Sequence, residues 1–468
     1  MVFSEPTFLF LFLPLCVLAY MAARGDWKNR VLLAASLAFY AWGDAKNLPI
    51  LLGSIALNYM FGLWIEAAVR KGGAARGLLA LGVAANLAIL GVYKYLGFFL
   101  DNLGVAQAYD IAPALPIGIS FFTFQALSYL VDLQRREIAV QRSPWRLALY
   151  ISMFPQLIAG PIVRYAEVEG ALSERHTSRS DFAAGMQRFV LGLAKKTMIA
   201  DPMGLTADRI FAIPDGGLSP ETAWIGALAY ALQIYFDFSA YSDMAIGLGR
   251  IFGFRFPENF DHPYAARSIT EFWRRWHMTL SRWFRDYLYI PLGGNRKGPL
   301  RTYVNLGIVF LATGFWHGAA WTFVFWGLWH GLFLILERAF LGKVLARAPQ
   351  IVSRLYLLAV VLLGWVPFRA DGFGQTLDFY AAMLTGARGA EAGLHPLARY
   401  ADGYIFAVML LGAAFSVPLL QALAERARRA LPPAGFGALR VAVLWALFAA
   451  ALVSVGAASY SPFIYFRF

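Results

Sequence analysis

Seven uncharged apolar segments divide this chain, and their length decides the solvent in which it folds. They cover residues 7–23, 31–43, 48–64, 77–93, 111–131, 403–424 and 441–466. Most approach the ~20 apolar residues with which an α-helix spans a bilayer. Charged residues make up only 15% of the chain, against roughly 25% in an ordinary soluble domain. The sequence therefore predicts an all-α polytopic membrane protein.

The charged loops predict the orientation of these segments, because Lys and Arg concentrate on the cytoplasmic side of a membrane. Loops 24–30, 70–76 and 135–146 are basic, whereas 101–110 carries only acidic charges. Residues 250–301 hold ten Arg or Lys against four Asp or Glu, which predicts a large cytoplasmic region. Alternation then places both chain termini, including Phe468, on the side of the membrane opposite the cytoplasm.

The chain contains no solenoid repeat, low-complexity tract or Gly/Ser linker, so we expect a single membrane domain over residues 1–468 with about 11 spans. Its core motifs fall within residues 111–338. Segment 147–163 is interrupted by Pro155 and Gly160, which favours re-entrant helices that face a protein-lined cavity. The formal charge of +13 does not indicate nucleic-acid binding, because the cations lie between apolar segments and form no separate basic domain.

Two histidines, His317 and His330, lie in the uncharged stretch 302–336, which is long enough for one bent helix or two helices packed as a hairpin. A histidine inside a membrane has either a structural partner or a functional task. Trp316 and Gly318 favour function for His317, because a bulky ring beside a small residue suits a narrow pocket. On a continuous helix His330 lies roughly 140° around the axis, and a structural role is favoured for it.

Arginines and aromatic residues alternate densely in segment 271–287, within the predicted cytoplasmic region. Arg274 and Arg275 suit an anionic acyl donor such as the phosphates of coenzyme A. Trp276 is expected to support the same donor site, with His277 near the thioester. The alternative is an interfacial amphipathic helix, in which the same side chains contact lipid headgroups.

Asp237 and Tyr241 are spaced to share one face of a helix. They either support the site or form hydrogen-bonded packing, and both interpretations stay open. The histidines lack short ligand spacing and nearby carboxylates, so no metal site is predicted.

Seven motifs recur in a characteristic order along nearly the whole chain. They are Tyr40-Ala41-Trp42, 154–161, 235–239, 241–244, 273–292, Trp316-His317-Gly318 and 462–466. Together they resemble the membrane-bound O-acyltransferase family, in its bacterial branch that contains the alginate O-acetyltransferase membrane subunit. The resemblance implies a ring of about 11 tilted transmembrane helices, with partial helices, around a central funnel or tunnel. It also implies His317 as the essential histidine, His277 as the second characteristic one, and Gln156 as tunnel support.

The activity implied by the resemblance is O-acetyl transfer from a cytoplasmic donor to an extracytoplasmic acceptor, for O-acetylation of an alginate-type exopolysaccharide. Acetyl-coenzyme A is the expected co-substrate and no bound cofactor is expected. The acceptor is reached directly or through a periplasmic partner that resembles SGNH hydrolases. His317 acts either as a general base or as a carrier of the acetyl group.

Three alternatives stay open at this point. A related enzyme transfers D-alanine to teichoic acid, or acetate to peptidoglycan or cellulose. A non-enzymatic transporter is suggested by broken helices, although duplicated broken-helix halves are missing. In the third interpretation the chain is a scaffold for a periplasmic enzyme.

Overall fold

The computed structural model describes residues 2–105, 107–457 and 463, and within these ranges the chain is helical without a β-strand. The motif at 462–466 and the predicted periplasmic Phe468 therefore lie outside the described residues, apart from Phe463. Two compact units are present. The first contains the chain up to Phe189 together with Tyr241–Glu258, and the second contains Val190–Ala240 and the chain from Asn259 onwards.

The first unit is built from short and long helices, several of them continued by a turn of π- or 3₁₀-helix. Its α-helices are Leu13–Ala22, Trp27–Asp44, Leu48–Arg70, Ala75–Leu90, Leu96–Asn102, Ala108–Ile111, Ile119–Arg135, Pro144–Ser152, Phe154–Leu157, Tyr165–Ser173 and most of Arg179–Lys195. The π-helical turn Phe8–Phe12 precedes Leu13–Ala22, and the π-helical turn Gly91–Tyr95 and the 3₁₀ turn Ala45–Asn47 join neighbouring helices.

The second unit contains the histidine motifs. Its α-helices are Asp201–Phe211, Pro220–Ile251 up to Ala240, Ile269–Arg275, Met278–Phe284, Gly298–His317, Trp321–Leu336, Gly342–Arg347, Gln350–Arg369, Phe373–Tyr380, Gly403–Phe415, Leu419–Ala430 and Pro433–Ala457. Its π-helical turns are Lys196–Ala200, Arg285–Tyr289, Glu337–Leu341 and Ala381–Thr385, and its 3₁₀ turns are Pro263–Ala265, Ala392–Leu394 and Leu397–Arg399.

Five helical stretches of the described chain are long and apolar enough to cross a membrane. They are Trp27–Arg70, Ala75–Asn102, Trp321–Arg347, Gln350–Arg369 and Pro433–Ala457. A sixth arises if Gly403–Phe415 and Leu419–Ala430, which meet at 72°, form one broken span. The prediction of an all-helical polytopic membrane protein is confirmed, whereas the number of about 11 spans stays a prediction.

The predicted interruption of segment 147–163 is present in the first unit. Helix Pro144–Ser152 stops at Met153, and the short helix Phe154–Leu157 follows with Pro155 in its first turn. Gly160 then adopts φ +101°, a backbone conformation that side chains with a Cβ rarely occupy. All residues from Leu149 to Val163 are buried, so the broken backbone is covered by protein, as membrane depth would require.

Stretch 302–336 forms two helices packed as a hairpin and not one bent helix, the other arrangement that its length allowed. Helices Gly298–His317 and Trp321–Leu336 are separated by Gly318–Ala320. They approach closely at Gly314 and Gly327, where an added Cβ would overlap the carbonyl oxygen of the facing helix. The prediction that His330 lies roughly 140° from His317 around a continuous helix was therefore wrong, because the chain reverses direction between the two histidines.

Candidate active site

The helix Gly298–His317 ends at His317, which places this imidazole at the tip of the hairpin. Gly318 follows in extended conformation with φ −165°. A Cβ on Gly318 would overlap the ring of Phe323, so only glycine fits this position without displacing that ring. The small residue in the Trp-His-Gly motif is thus required by steric contact beside the histidine.

Three aromatic rings surround His317, whose side chain is 5% exposed. The centroid of its imidazole lies 4.9 Å from Trp316, 5.0 Å from Trp326 and 5.1 Å from Phe368. Each ring meets the imidazole edge to face, a favourable geometry for aromatic pairs. This cage surrounds the imidazole with aromatic rings, whereas the narrow pocket expected beside it stays a prediction.

Trp316 is the residue that brings the two sequence-predicted histidines together. Its ring centroid lies 6.0 Å from His277 and 4.9 Å from His317, and its side chain is buried. The histidines are separated by 40 positions in the sequence, which carried no information on their distance. In the fold they share one indole as a neighbour.

Two backbone hydrogen bonds that flank His277 hold it in an uncommon conformation. His277 has φ 42° and ψ 53°, the left-handed region, and forms the N-cap of helix Met278–Phe284. On either side of it, the N–H of Asp261 donates to the carbonyl of Arg275 at 3.0 Å, and the N–H of Met278 donates to the carbonyl of Asn259 at 2.9 Å. Such a conformation costs a non-glycine residue about 1–2 kcal/mol and persists where the surroundings fix it.

The side chain of Asn259 determines which nitrogen of His277 carries the hydrogen. Its Oδ1 accepts from the backbone N–H of Thr279 at 3.2 Å and from the Thr279 hydroxyl at 2.8 Å, and it lies 3.2 Å from His277 Nδ1. A carbonyl oxygen has no hydrogen to give, so Nδ1 donates and Nε2 of the neutral ring keeps a lone pair. Nε2 is buried without a hydrogen-bond partner among the described residues.

The pH dependence of stability should report the burial of His277. Burial lowers the pKa of His277 from 6.5 to about 3, so below pH ~6.5 the unfolded chain binds a proton that the folded chain does not. We therefore expect unfolding free energy to fall as the pH falls from ~6.5 towards 3. The test is thermal unfolding in detergent between pH 4 and pH 8. A His277→Gln protein should show a shallower pH dependence, and an equal slope would contradict the assignment.

The two arginines predicted to bind the donor differ in their surroundings. Arg275 forms an ion pair with Glu271 at 2.8 Å and lies 3.8 Å from a carboxylate oxygen of Asp261. Arg274 is exposed and has no ion-pair partner within the described ranges. Of the pair, Arg274 is therefore the one whose guanidinium is available to an anion.

Trp276 lies in an aromatic core and is only 2% exposed. Its ring centroid is 5.1 Å from Phe260, 5.4 Å from Phe272 and 5.0 Å from Trp365. Trp276 thus serves as packing for the segment that carries His277. His330 shares this core, with centroid distances of 5.3 Å to Trp273 and 5.0 Å to Trp326.

Lys196 is a residue that sequence reasoning missed. Its ammonium lies 2.9 Å from Asp237 and 2.7 Å from Asp201, and its side chain is 4% exposed. The predicted carboxylate Asp237 is thus half of a buried ion pair. The available signal was a lysine pair, Lys195-Lys196, followed closely by Asp201 in a mostly apolar helix.

Gln156 and Tyr241 belong to the first unit, where both are buried. The Gln156 side-chain amide donates to the carbonyl of Tyr150 at 2.6 Å. Tyr241 stacks on Phe3 with centroids 4.4 Å apart. These contacts show how the 154–161 and 241–244 motifs contribute to the core of that unit.

Glu337 is the second missed residue, and it anchors the start of the helix before His277. Its carboxylate accepts from the backbone N–H groups of Ile269 at 2.6 Å and Thr270 at 2.8 Å. It also accepts from the hydroxyls of Thr270 at 2.6 Å and Tyr356 at 3.0 Å. Because Ile269 and Thr270 lie 67 or more positions before Glu337, no local pattern could have indicated this anchor.

Comparison with known proteins gives consistent matches. Residues 5–359 match the model of the membrane-bound O-acyltransferase family. A protein of Azotobacter vinelandii named probable alginate O-acetylase AlgI is 40% identical over the full length of both chains. The peptidoglycan O-acetyltransferase of Helicobacter pylori is 40% identical, over 82% of this chain and 80% of the relative. The teichoic acid D-alanyltransferase of Streptococcus thermophilus is 29% identical, over 48% of this chain and 58% of the relative.

Proposed function

This chain belongs to the membrane-bound O-acyltransferase family, and we propose that it transfers acetyl groups to an alginate-type exopolysaccharide. The donor is acetyl-coenzyme A from the cytoplasm, and the acceptor lies on the opposite side of the membrane. The full-length match to a relative named as an alginate O-acetylase supports this choice of acceptor.

The observation that carries the proposal is the pair of buried histidines on either side of Trp316. In the proposed reaction the imidazole of His317 takes the proton of the acceptor hydroxyl while the hydroxyl oxygen attacks the thioester carbonyl. The C–S bond breaks, and the thiolate of coenzyme A receives the proton from His317. If His317 carries the acetyl group instead, an imidazole nitrogen attacks the thioester carbonyl, the C–S bond breaks, and the imidazole N–H proton passes to the thiolate of coenzyme A. The acceptor hydroxyl oxygen then attacks this acetyl group, the C–N bond to His317 breaks, and the hydroxyl proton returns to the imidazole.

His277 is proposed as a positioning residue for the donor. Its Nε2 lone pair accepts a hydrogen bond, so it suits an N–H or O–H group of the donor or of a bound water. It does not suit direct polarisation of the thioester carbonyl, which would require a donor at that nitrogen.

Radiolabelled acetyl-coenzyme A tests the proposal against a transporter and a scaffold. The purified, reconstituted chain should transfer the acetyl label to polysaccharide or to a periplasmic partner, and this transfer should require His317. Movement of substrate without acetyl transfer would instead show transport. Full partner activity after loss of His317 would show a scaffold.

Arg274→Gln should raise the KM for acetyl-coenzyme A by about tenfold, because one charge-assisted phosphate contact contributes roughly 1.5 kcal/mol. The kcat should be little changed, since the guanidinium binds donor and transition state equally. Steady-state kinetics with acetyl-coenzyme A measure both constants. The matched control is Arg255→Gln, which removes the same charge from an 85% exposed side chain elsewhere. An unchanged KM in Arg274→Gln would assign Arg274 a structural role.

Peptidoglycan is the second candidate acceptor, because the Helicobacter pylori relative has the same 40% identity as the Azotobacter vinelandii relative. D-alanine transfer to teichoic acid has weaker support, since that relative matches only about half of the chain. Parallel assays with mannuronate polymer and with peptidoglycan fragments separate the first two.

The architecture proposed with this function is a ring of about 11 tilted spans, with partial helices around a funnel or tunnel, in a bacterial inner membrane. The termini are proposed to face the periplasm, where an SGNH-hydrolase-like partner passes the acetyl group to polysaccharide. Accessibility of single cysteines introduced at residue 5 and residue 296 to a membrane-impermeant reagent tests the orientation, after Cys16 has been replaced by serine.

A further inference from the structure

A cavity of about 450 Å³ lies in the second unit, away from the two histidines in the sequence. Its lining comes from the loop and first residues of helix Ile269–Arg275 and from residues 337–353, where the span Trp321–Arg347 gives way to Gln350–Arg369. Arg267 and Arg338 both belong to the lining. Both are exposed, and neither forms an ion pair with another described residue.

The carboxylate in the lining, Glu337, forms no ion pair with either guanidinium group within the described part of the chain, and its single negative charge leaves the lining with a net positive charge. Both of its oxygens accept hydrogen bonds, from Ile269, Thr270 and Tyr356. The side chain is 7% exposed and is held against the start of the neighbouring helix. The cavity therefore presents two arginines with unused donors, which suits a phosphate group.

The helical segments that form the cavity also carry exposed apolar side chains. Phe340 is 56% exposed and Val344 56% on one segment, and Ile351 is 63% exposed and Leu355 58% on the other. Both segments belong to candidate membrane spans, so these side chains are suited to contact acyl chains. A phosphate site beside lipid-facing side chains fits a molecule with an anionic head and apolar tails.

The charge around the cavity indicates the leaflet. Residues 337–354 contain four Arg or Lys and one Glu, which predicts the cytoplasmic side. Anionic lipids there attract basic juxtamembrane groups, and basic pockets between membrane helices bind their headgroups.

We propose that this cavity binds the phosphate headgroup of an anionic phospholipid, with Arg267 and Arg338 on the phosphate. The acyl chains then lie along the exposed apolar faces of the two spans. This site is separate from the acetyl-transfer proposal and does not depend on it.

The test is retention of phosphatidylglycerol by the full-length protein, which is reconstituted with equal amounts of phosphatidylglycerol and phosphatidylcholine. The protein is then partly delipidated, and bound lipid is quantified by mass spectrometry. We expect wild type to retain phosphatidylglycerol preferentially. Arg267→Gln/Arg338→Gln should lower its affinity by at least about tenfold, since each arginine near a membrane surface contributes about 1 kcal/mol.

Two further variants keep the proposal falsifiable. Ala346→Trp fills the edge of the cavity without changing charge, and it should lower retention as well. Arg142→Gln/Arg255→Gln removes two exposed arginines that lie beside carboxylates elsewhere, and it should retain lipid like wild type. Equal retention in all four proteins would overturn the proposal. Displacement of phosphatidylglycerol by inorganic phosphate at comparable concentration would show a site for free anions instead, and would overturn the lipid assignment.

Discussion

His317→Ala should lower the rate of acetyl transfer by about 100- to 10,000-fold, the range that a positioned general base contributes. The loss should appear in kcat, because the imidazole acts on a proton that moves only during the reaction. Single-turnover transfer of labelled acetyl groups from acetyl-coenzyme A, measured on reconstituted protein, gives this rate directly. If His317 also carries the acetyl group, the wild-type protein should become labelled without acceptor, and the variant should not.

His330→Ala is the matched control for this experiment. It removes the same side chain from the same aromatic core, where His330 lies 5.0 Å from Trp326. We expect lower stability but an unchanged rate per folded molecule. If both variants lose activity equally, the His317 result reflects packing and not proton transfer. Full activity in a folded His317→Ala protein would exclude His317 from catalysis.

Lys196→Met should lower the free energy of unfolding by about 3–5 kcal/mol, because it leaves the buried carboxylate of Asp237 without its cation. The Asp237 side chain is 1% exposed and lies 2.9 Å from the lysine ammonium. Asp201, at 2.7 Å, loses the same partner. The measurement is denaturant or thermal unfolding in detergent, together with the yield of inserted protein.

The double variant Lys196→Met/Asp237→Asn separates the ion pair from packing. Asp237→Asn removes the buried carboxylate charge that Lys196→Met leaves without its lysine. The double variant should therefore regain part of the lost unfolding free energy and be more stable than Lys196→Met alone. Lys196→Arg, which keeps the charge, should lose less than either. A double variant that is less stable than the single one would contradict a charge-pair explanation.

The sequence predicted those features that depend on local composition. Uncharged stretches indicated membrane helices, and Pro155, Gly160 and Pro161 indicated the broken backbone, because both signals act within a few residues. The Trp316-His317-Gly318 motif indicated a histidine beside a bulky ring, and the narrow pocket expected there stays a prediction. Its aromatic cage includes Phe368, which is supplied by a helix some fifty positions later.

Features that depend on distant contacts could not be predicted. Glu337 binds a helix start nearly seventy positions earlier, and Asn259 determines the tautomer of His277 from 18 positions earlier. In the sequence Arg274 and Arg275 are equivalent cations. In the fold Arg275 pairs with Glu271, whereas Arg274 is exposed. Such distinctions arise only when tertiary packing selects among side chains of equal type.

The left-handed backbone at His277 has a consequence for how this position tolerates change. This residue must meet two requirements. Its side chain must accept a hydrogen bond at Nε2, and its backbone must adopt the left-handed conformation, which most residues disfavour. Glycine and asparagine tolerate the left-handed conformation but lack the imidazole. Valine and isoleucine lack the imidazole and also disfavour this conformation. In a library of all twenty amino acids, we expect abundance of folded protein to rank residues by backbone tolerance and activity to rank them by chemistry. The two rankings should diverge most at glycine, which adopts positive φ most readily and has no side chain to accept the hydrogen bond, so this single position can separate folding from catalysis in one selection.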